Sequence, residues 1–273
     1  MSILECLSLS FKKIKQDYIV MGPYLAFTLL NILYSRQFSV VAEPASLFYM
    51  AQLVGQHVVQ TVFGFFVIIM VVNLRNHEVN MPLVVSLFMN RIRHFIFMAI
   101  LVNIPFAMLI YGGLSFSAEE ASATGVTLLS FFTLFFIGIG IYIMIPITAF
   151  GYFACIQFTL TSKPVVDVLG DILVFCFKQY RLCLRWFWVM LSLNMLQIFV
   201  LPLFRTNFVL KDVFLALIQA FILTIVMIFS VTYYKHYVSP AMRDASNFQE
   251  ETQKDLDADD KDTLLEQGDG KES

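Results

Sequence analysis

Charge is scarce in this sequence, and where the chain is most apolar there is none. Charged residues make up 14% of the 273 positions and hydrophobic ones 59%, with 29 phenylalanines among them. A water-soluble chain of this length needs a far more polar surface, so an ordinary soluble domain is excluded. Paired cysteines are missing too. Cys6, Cys155, Cys176 and Cys183 form no CxxC pair and no Cys/His cluster of zinc-site spacing. They read as free, apolar packing cysteines, and neither a metal nor a cofactor is expected. No Walker loop, HExxH, GxSxG or Rossmann glycine pattern occurs, and no nucleophile has a base at a telling spacing, which argues against an enzyme. A cleavable signal is not expected either. Polar residues run to Asp17, and the apolar stretch after it is long and lacks a small-residue cleavage site.

What the chain has is apolar runs of membrane length. About 20 apolar residues cross ~30 Å of hydrocarbon. Six candidate spans follow, at about 18–35, 47–74, 95–116, 126–152, 182–204 and 213–235. The fourth run continues to Leu160, and 126–160 would measure about 52 Å as one helix. A kink or exit is expected near Pro146, flanked by Gly138, Gly140 and Gly151, followed by a helix along the interface to Thr161.

Charge placement sets the orientation. Twelve basic residues (Lys12, Lys13, Lys15, Arg75, Arg91, Arg93, Lys163, Lys178, Arg181, Arg185, Lys235 and Arg243) fall on one side, against Arg36, Arg205 and Lys211 on the other. Both termini are therefore expected in the cytoplasm, with the chain in the cytoplasmic (inner) membrane. From Met1 to Met242 there are 14 Lys+Arg against 9 Asp+Glu; from Arg243 to Ser273 there are 4 against 11. The near-neutral total hides a basic membrane domain, 1–242, and an acidic tail, 243–273, expected to be disordered.

One layout recurs three times: an amphipathic stretch, a basic cluster, then a membrane hairpin. "SILECLSLSFKKIKQDY" places Ile3, Leu7, Phe11 and Ile14 at helical spacing ahead of Lys12, Lys13 and Lys15. "NMPLVVSLFMNRIRHF" starts at Asn80, a helix cap, and ends in Arg91, Arg93 and His94. "SKPVVDVLGDILVFCFKQYRL" starts at Ser162 and Pro164 and ends in Lys178 and Arg181. Each fits a helix lying in the cytoplasmic interface. Lys12, Lys13, Lys15, Arg91, Arg93, Lys178, Arg181 and Arg185 are the candidate contacts to anionic lipid.

The run "GIGIYIMIPITAFGYFACIQFTLTSKPVVDVLGDILVFCFKQYRLCL" resembles the middle of the YciC-like bacterial inner-membrane proteins. It is similar as well to the membrane domain found beside glycerophosphodiester phosphodiesterases. The resemblance implies location and an all-α, polytopic architecture: six transmembrane helices and three cytoplasmic interfacial amphipathic helices. It carries over no catalytic residue. One departure is plain, because the family often has a Pro-Gly step where this chain has Pro146-Ile147.

No Asp, Glu, Lys or Arg occupies the middle of any expected span, which argues against an ion-coupled carrier. The polar feature at depth is Gln52, Gln56, His57 and Gln60. The three glutamines are four apart, Gly64 continues the series, and the helix below Gly64 is apolar all round. The favoured reading is glue, with amides bonding to Asn31, Asn103, Asn194, Gln197 or Gln219 on neighbouring spans. A wet vestibule is the alternative. His57 reads as a neutral bundle histidine rather than a switch.

The expectation is a non-enzymatic membrane protein that organises anionic lipid or membrane-protein partners, with no nucleic acid involved. The runner-up is a transporter or channel for a small or amphipathic solute.

Overall fold

The computed structural model describes residues 2–37, 47–75, 78–120, 128–200 and 208–243. The acidic tail beyond Arg243 lies outside the described residues, as do Glu43 and Arg205. So do the side chains of 106–141, which include Gly138 and Gly140, and that of Gln197. By its contacts the chain forms two units, Met1–Tyr233 and Tyr234–Ser273.

The first unit is helical. In chain order it comprises α1 (Ile3–Gln16), a 3-10 turn (Tyr18–Met21), α2 (Gly22–Gln37), α3 (Leu47–Asn73), α4 (Met81–Glu120), α5 (Leu128–Leu160), α6 (Val165–Lys178), α7 (Tyr180–Val200) and α8 (Phe208–Tyr233). The one extended pairing among the described residues is a two-residue antiparallel ladder joining α3 to α4, Leu74 opposite Val79 and Arg75 opposite Glu78. In the second unit a π-helical turn, Tyr234–Val238, leads into helical residues up to Arg243, and the Tyr234 hydroxyl lies 3.9 Å from Met242 Sδ.

Four stretches are long and apolar enough to cross a membrane: Val54–Asn73, Met81–Pro105, Tyr142–Leu160 and Asp212–Arg243. The protein is thus a multi-pass membrane protein by length and composition. The expected first span appears as a shorter apolar helix, Tyr18–Tyr34. Parts of the expected spans 95–116, 126–152 and 182–204 fall on side chains outside those described.

Local chemistry accounts for the helix starts. Ser2 caps α1 in a reciprocal box with Glu5: the Ser2 hydroxyl accepts from Glu5 N–H at 3.2 Å, and the Glu5 carboxylate accepts from Ser2 N–H at 2.7 Å. Asn80 caps α4 as expected, its carbonyl oxygen accepting from Leu83 N–H at 3.2 Å. Asp17 does two jobs. One carboxylate oxygen accepts from Ile19 N–H (2.9 Å) to start the 3-10 turn; the other accepts from Val79 N–H (3.1 Å). A single carboxylate thereby ties the α1–α2 junction to the α3–α4 ladder.

Two expectations are corrected. The stretch 80–94 is not a separate interfacial helix, because α4 runs unbroken from Met81 to Glu120. Nothing between Asn80 and Pro105 stops a helix, and Arg91, Arg93 and His94 are tolerated in a helix interior. Similarly, α5 does not exit at Pro146. It continues to Leu160 with Phe153, Ala154, Cys155, Ile156 and Phe158 buried. Pro146 removes one backbone donor, and packing on both sides outweighs that loss. The helix stops where Pro164 disfavours helical geometry at Lys163. Two stretches remain separate short helices: α1 and α6.

The core is built on α8, which packs against α1, α2, α3 and α7, and every residue from Ile222 to Tyr233 is buried. Two aromatic clusters join the helices, one across α3, α4 and α5 and the other across α5, α7 and α8. In one, Phe65 stacks on Phe95 (4.4 Å between centroids) and Phe158 meets Phe95 edge-on (5.9 Å). In the other, Trp186 packs against Phe153 (5.2 Å) and Tyr152 (5.1 Å). The Trp186 indole N–H donates to Ser230 Oγ (3.0 Å), and the Tyr233 hydroxyl donates to the Leu182 carbonyl (3.0 Å). Buried polar tips are thereby satisfied while the rings supply apolar area.

Candidate functional site: a polar chamber at the centre of the bundle

Helix α3 presents its polar residues in two directions. At about 100° per residue, His57, Thr61, Gly64 and Ile68 fall within about 60° of one another, while Gln52, Gly55 and Val59 point to the opposite side. Gln56 and Gln60 lie between the two sets. The four candidates, for which one shared vestibule was the alternative to glue, are therefore divided between two cavities.

On one side, Gln52 and Gln56 line a cavity of about 370 Å³ between α2 and α3, walled by Phe27, Leu30, Asn31, Tyr34 and Val59. There the Gln56 amide donates to the Asn31 side-chain oxygen at 3.2 Å. This is one of the glue contacts that the sequence suggested.

On the other side, His57 and Gln60 line a chamber of about 330 Å³. Each of the six long helices contributes to its wall: Tyr24 from α2, Gly64 and Ile68 from α3, Asn103 from α4, Thr148 and Tyr152 from α5, Asn194 from α7 and Met227 from α8. The Asn103 amide donates to Thr61 Oγ1 (3.0 Å) and to the Ala99 carbonyl (2.7 Å), and Thr61 in turn donates to the His57 carbonyl (2.8 Å). Thr148 donates to the Met144 carbonyl (2.7 Å), and the Asn194 amide to that of Met190 (2.9 Å). Among the described residues the Gln60 amide has no hydrogen-bonded partner. Among the described residues no Asp, Glu, Lys or Arg lines the chamber.

Glycines set its width. A Cβ at Gly64 would stand 2.9 Å from Met227 Cε and 3.0 Å from the Tyr24 hydroxyl, so any side chain there would have to displace these two side-chain tips. At Gly151 the nearest atom to a Cβ is the Val102 carbonyl oxygen, 4.0 Å away, and the space beyond belongs to the chamber. Pro146 sits one residue before Ile147, which also lines it.

The basic candidates are spread over four helices, α1, α4, α6 and α7. Lys12, Lys15, Arg93, Lys178, Arg181 and Arg185 are exposed, and Lys13 is half-buried. Arg91 is turned inward: its guanidinium lies 4.9 Å from the Phe158 ring centroid and 5.8 Å from that of Phe95, and it donates to the Thr161 carbonyl at 3.4 Å. It caps the C-terminal end of α5. Lys163 pairs with Asp171 at 2.7 Å on the surface.

The four cysteines are free and buried. The Cys176 thiol is pushed up by its hydrogen bond with Cys183 and by burial, which keeps it protonated and inert.

Tyr24, Thr148 and Tyr152 were not foreseen as site residues. Each is one polar group within an apolar run, and only the packing of six helices brings them to one place. No family model matches the sequence, and neither a curated protein nor a solved structure matches it.

Proposed function

We propose that this is a six-span protein of the cytoplasmic membrane, both termini cytoplasmic, that organises anionic lipid or membrane-protein partners through short basic helices and performs no chemistry of its own. The observation that carries the reading is the pair α1 and α6. Each has 14 residues, about 21 Å of helix and too short to cross ~30 Å of hydrocarbon. Each is anchored along one side, α1 by Cys6, Ser10 and Ile14 and α6 by Val168, Ile172, Phe175 and Cys176. Each leaves large apolar side chains exposed beside basic ones: Leu4 and Phe11 near Lys12 and Lys15, and Val174 and Phe177 near Lys178. Apolar groups entering acyl chains and cations meeting headgroups is the chemistry of an interfacial helix. The resemblance to YciC-like inner-membrane proteins supports the same architecture.

The test is native mass spectrometry of the protein released from nanodiscs containing equal phosphatidylglycerol and phosphatidylcholine. Preferential retention of phosphatidylglycerol, lost when Lys12, Lys13, Lys178, Arg181 and Arg185 are all changed to Gln, is the expected result. Equal retention of the two lipids overturns the reading. Reporter fusions at the two ends test the topology, and opposite-sided signals would end it.

A second reading, transport of a small or amphipathic solute, is supported by the chamber of about 330 Å³ with Gln60, Asn103 and Asn194 in its wall. Flux in proteoliposomes that survives unchanged in a Gln56→Leu/Gln60→Leu double variant would remove these amides from it.

A further inference from the structure

We infer that the central chamber is a binding site for a small uncharged amphiphile whose head both donates and accepts hydrogen bonds, an alcohol or a primary amide on a short apolar body. The inference needs only the helical bundle and stands independently of the lipid-organising reading.

Volume, charge and hydrogen-bond inventory converge on this ligand class. At about 330 Å³ the chamber falls within the range of small-molecule sites, roughly 300–1,000 Å³. Its described lining residues hold no countercharge for an ion, and an ion without one is costly in an apolar surrounding.

The polar wall keeps hydrogen-bonding capacity of its own. Asn103 uses its amide hydrogens on Thr61 and Ala99, which leaves its carbonyl oxygen. Asn194 donates to Met190 and keeps its carbonyl oxygen; Thr148 spends its one hydrogen on Met144 and keeps its lone pairs. Asn194 keeps a second N–H, and the Tyr24 and Tyr152 hydroxyls can donate as well, so the wall offers both acceptors and donors and suits a head that does both. Gln60, which has no partner among the described residues, supplies both an acceptor and two donors. Met227, Ile68 and Val102 offer the apolar body its contacts. The Tyr152 ring, backed by Trp186 at 5.1 Å, gives the chamber a firm wall.

The test uses the whole protein in nanodiscs with a photoreactive diazirine-bearing decanol, mapped by peptide mass spectrometry. Saturable labelling is expected within 57–68, 102–103 and 147–155, displaced by unlabelled decanol but not by decyl methyl ether, which has no donor. Displacement by water-soluble 1,2-hexanediol as well would mean that the ligand arrives from the aqueous phase; displacement by decanol alone would mean that it arrives from the bilayer.

Gln60→Leu should raise the half-saturating concentration about three- to tenfold, the loss of one or two hydrogen bonds, with the unfolding temperature unchanged. Gly151→Val, which sends a side chain into the open space, should abolish saturable labelling. Three results would overturn the proposal: unsaturable label spread over exposed α4 positions such as Ile96 and Phe97, equal displacement by the ether, or indifference to both variants.

Discussion

The two sides of α3 use the same residue type for different ends. Toward α2, Gln56 meets Asn31 at 3.2 Å, and a polar group that would be costly in hydrocarbon becomes a fastening. Toward α4, α5 and α8, Gln60 faces a chamber and has no partner among the described residues. One turn of helix separates them. The glutamine's chemistry is identical in both places, so what separates glue from site is whether the opposite helix delivers a matching group or leaves a space.

Four substitutions can break or sharpen that contrast. Gly64→Leu should have the largest effect, because even a Cβ there crowds Met227 and Tyr24. Separating α3 from its neighbours should cost about 1–3 kcal/mol, measured as unfolding in detergent. Asn103→Leu comes next, at about 1 kcal/mol, since it removes the bond to Thr61 and loosens the chamber wall without touching the α2 side. Gln56→Leu should cost about 0.6 kcal/mol; in a double-mutant cycle with Asn31→Leu most of that cost should appear as coupling. Additive costs would mean that the contact contributes nothing. Gln60→Leu should be the mildest for stability, within about 0.5 kcal/mol of neutral, because it breaks no bond to the described residues. A large loss at Gln60 together with no coupling at Gln56 would reverse the assignment of the two sides.

A second contrast runs between helices. In α8 every residue from Ile222 to Tyr233 is enclosed by protein. In α4, Leu83, Val85, Leu87, Met89, Ile96, Phe97 and Ile100 are exposed, and only one side is packed. Both helices are apolar in sequence. In lipid, apolarity does not separate the inside of a bundle from its outside, because acyl chains accept Leu and Phe as readily as a protein core does. This is why the core could not be read from hydropathy, whereas in a soluble chain it largely could.

The polar exceptions were more legible. Asn80 read correctly as a cap because capping depends on residues three apart in the chain. Asn31 was among the partners foreseen for the glutamines, and Gln56 bonds to it; Asn103 was foreseen in the same role, but its amide bonds to Thr61 and Ala99 instead. The division of the glutamine stripe was not legible. It depends on which neighbour stands at each angle around α3, and sequence spacing fixes only the angle. The continuity of α4 was missed for a related reason, and of the kink or exit expected near Pro146 the exit does not occur. A proline or a basic cluster reads as an end when considered locally, but tertiary packing on either side holds the helix through it.

Sequence alone determined that this chain has helices long and apolar enough to cross a membrane. Its apolar runs are nearly free of charge, and in hydrocarbon a helix is the form in which one segment satisfies its own backbone hydrogen bonds. Only the tertiary structure decided what the few polar residues inside would do. Their partners come from helices distant in the chain, and whether six helices close completely or leave a chamber is set by side-chain volumes at Gly64, Gly151 and their neighbours, which no one-dimensional pattern records.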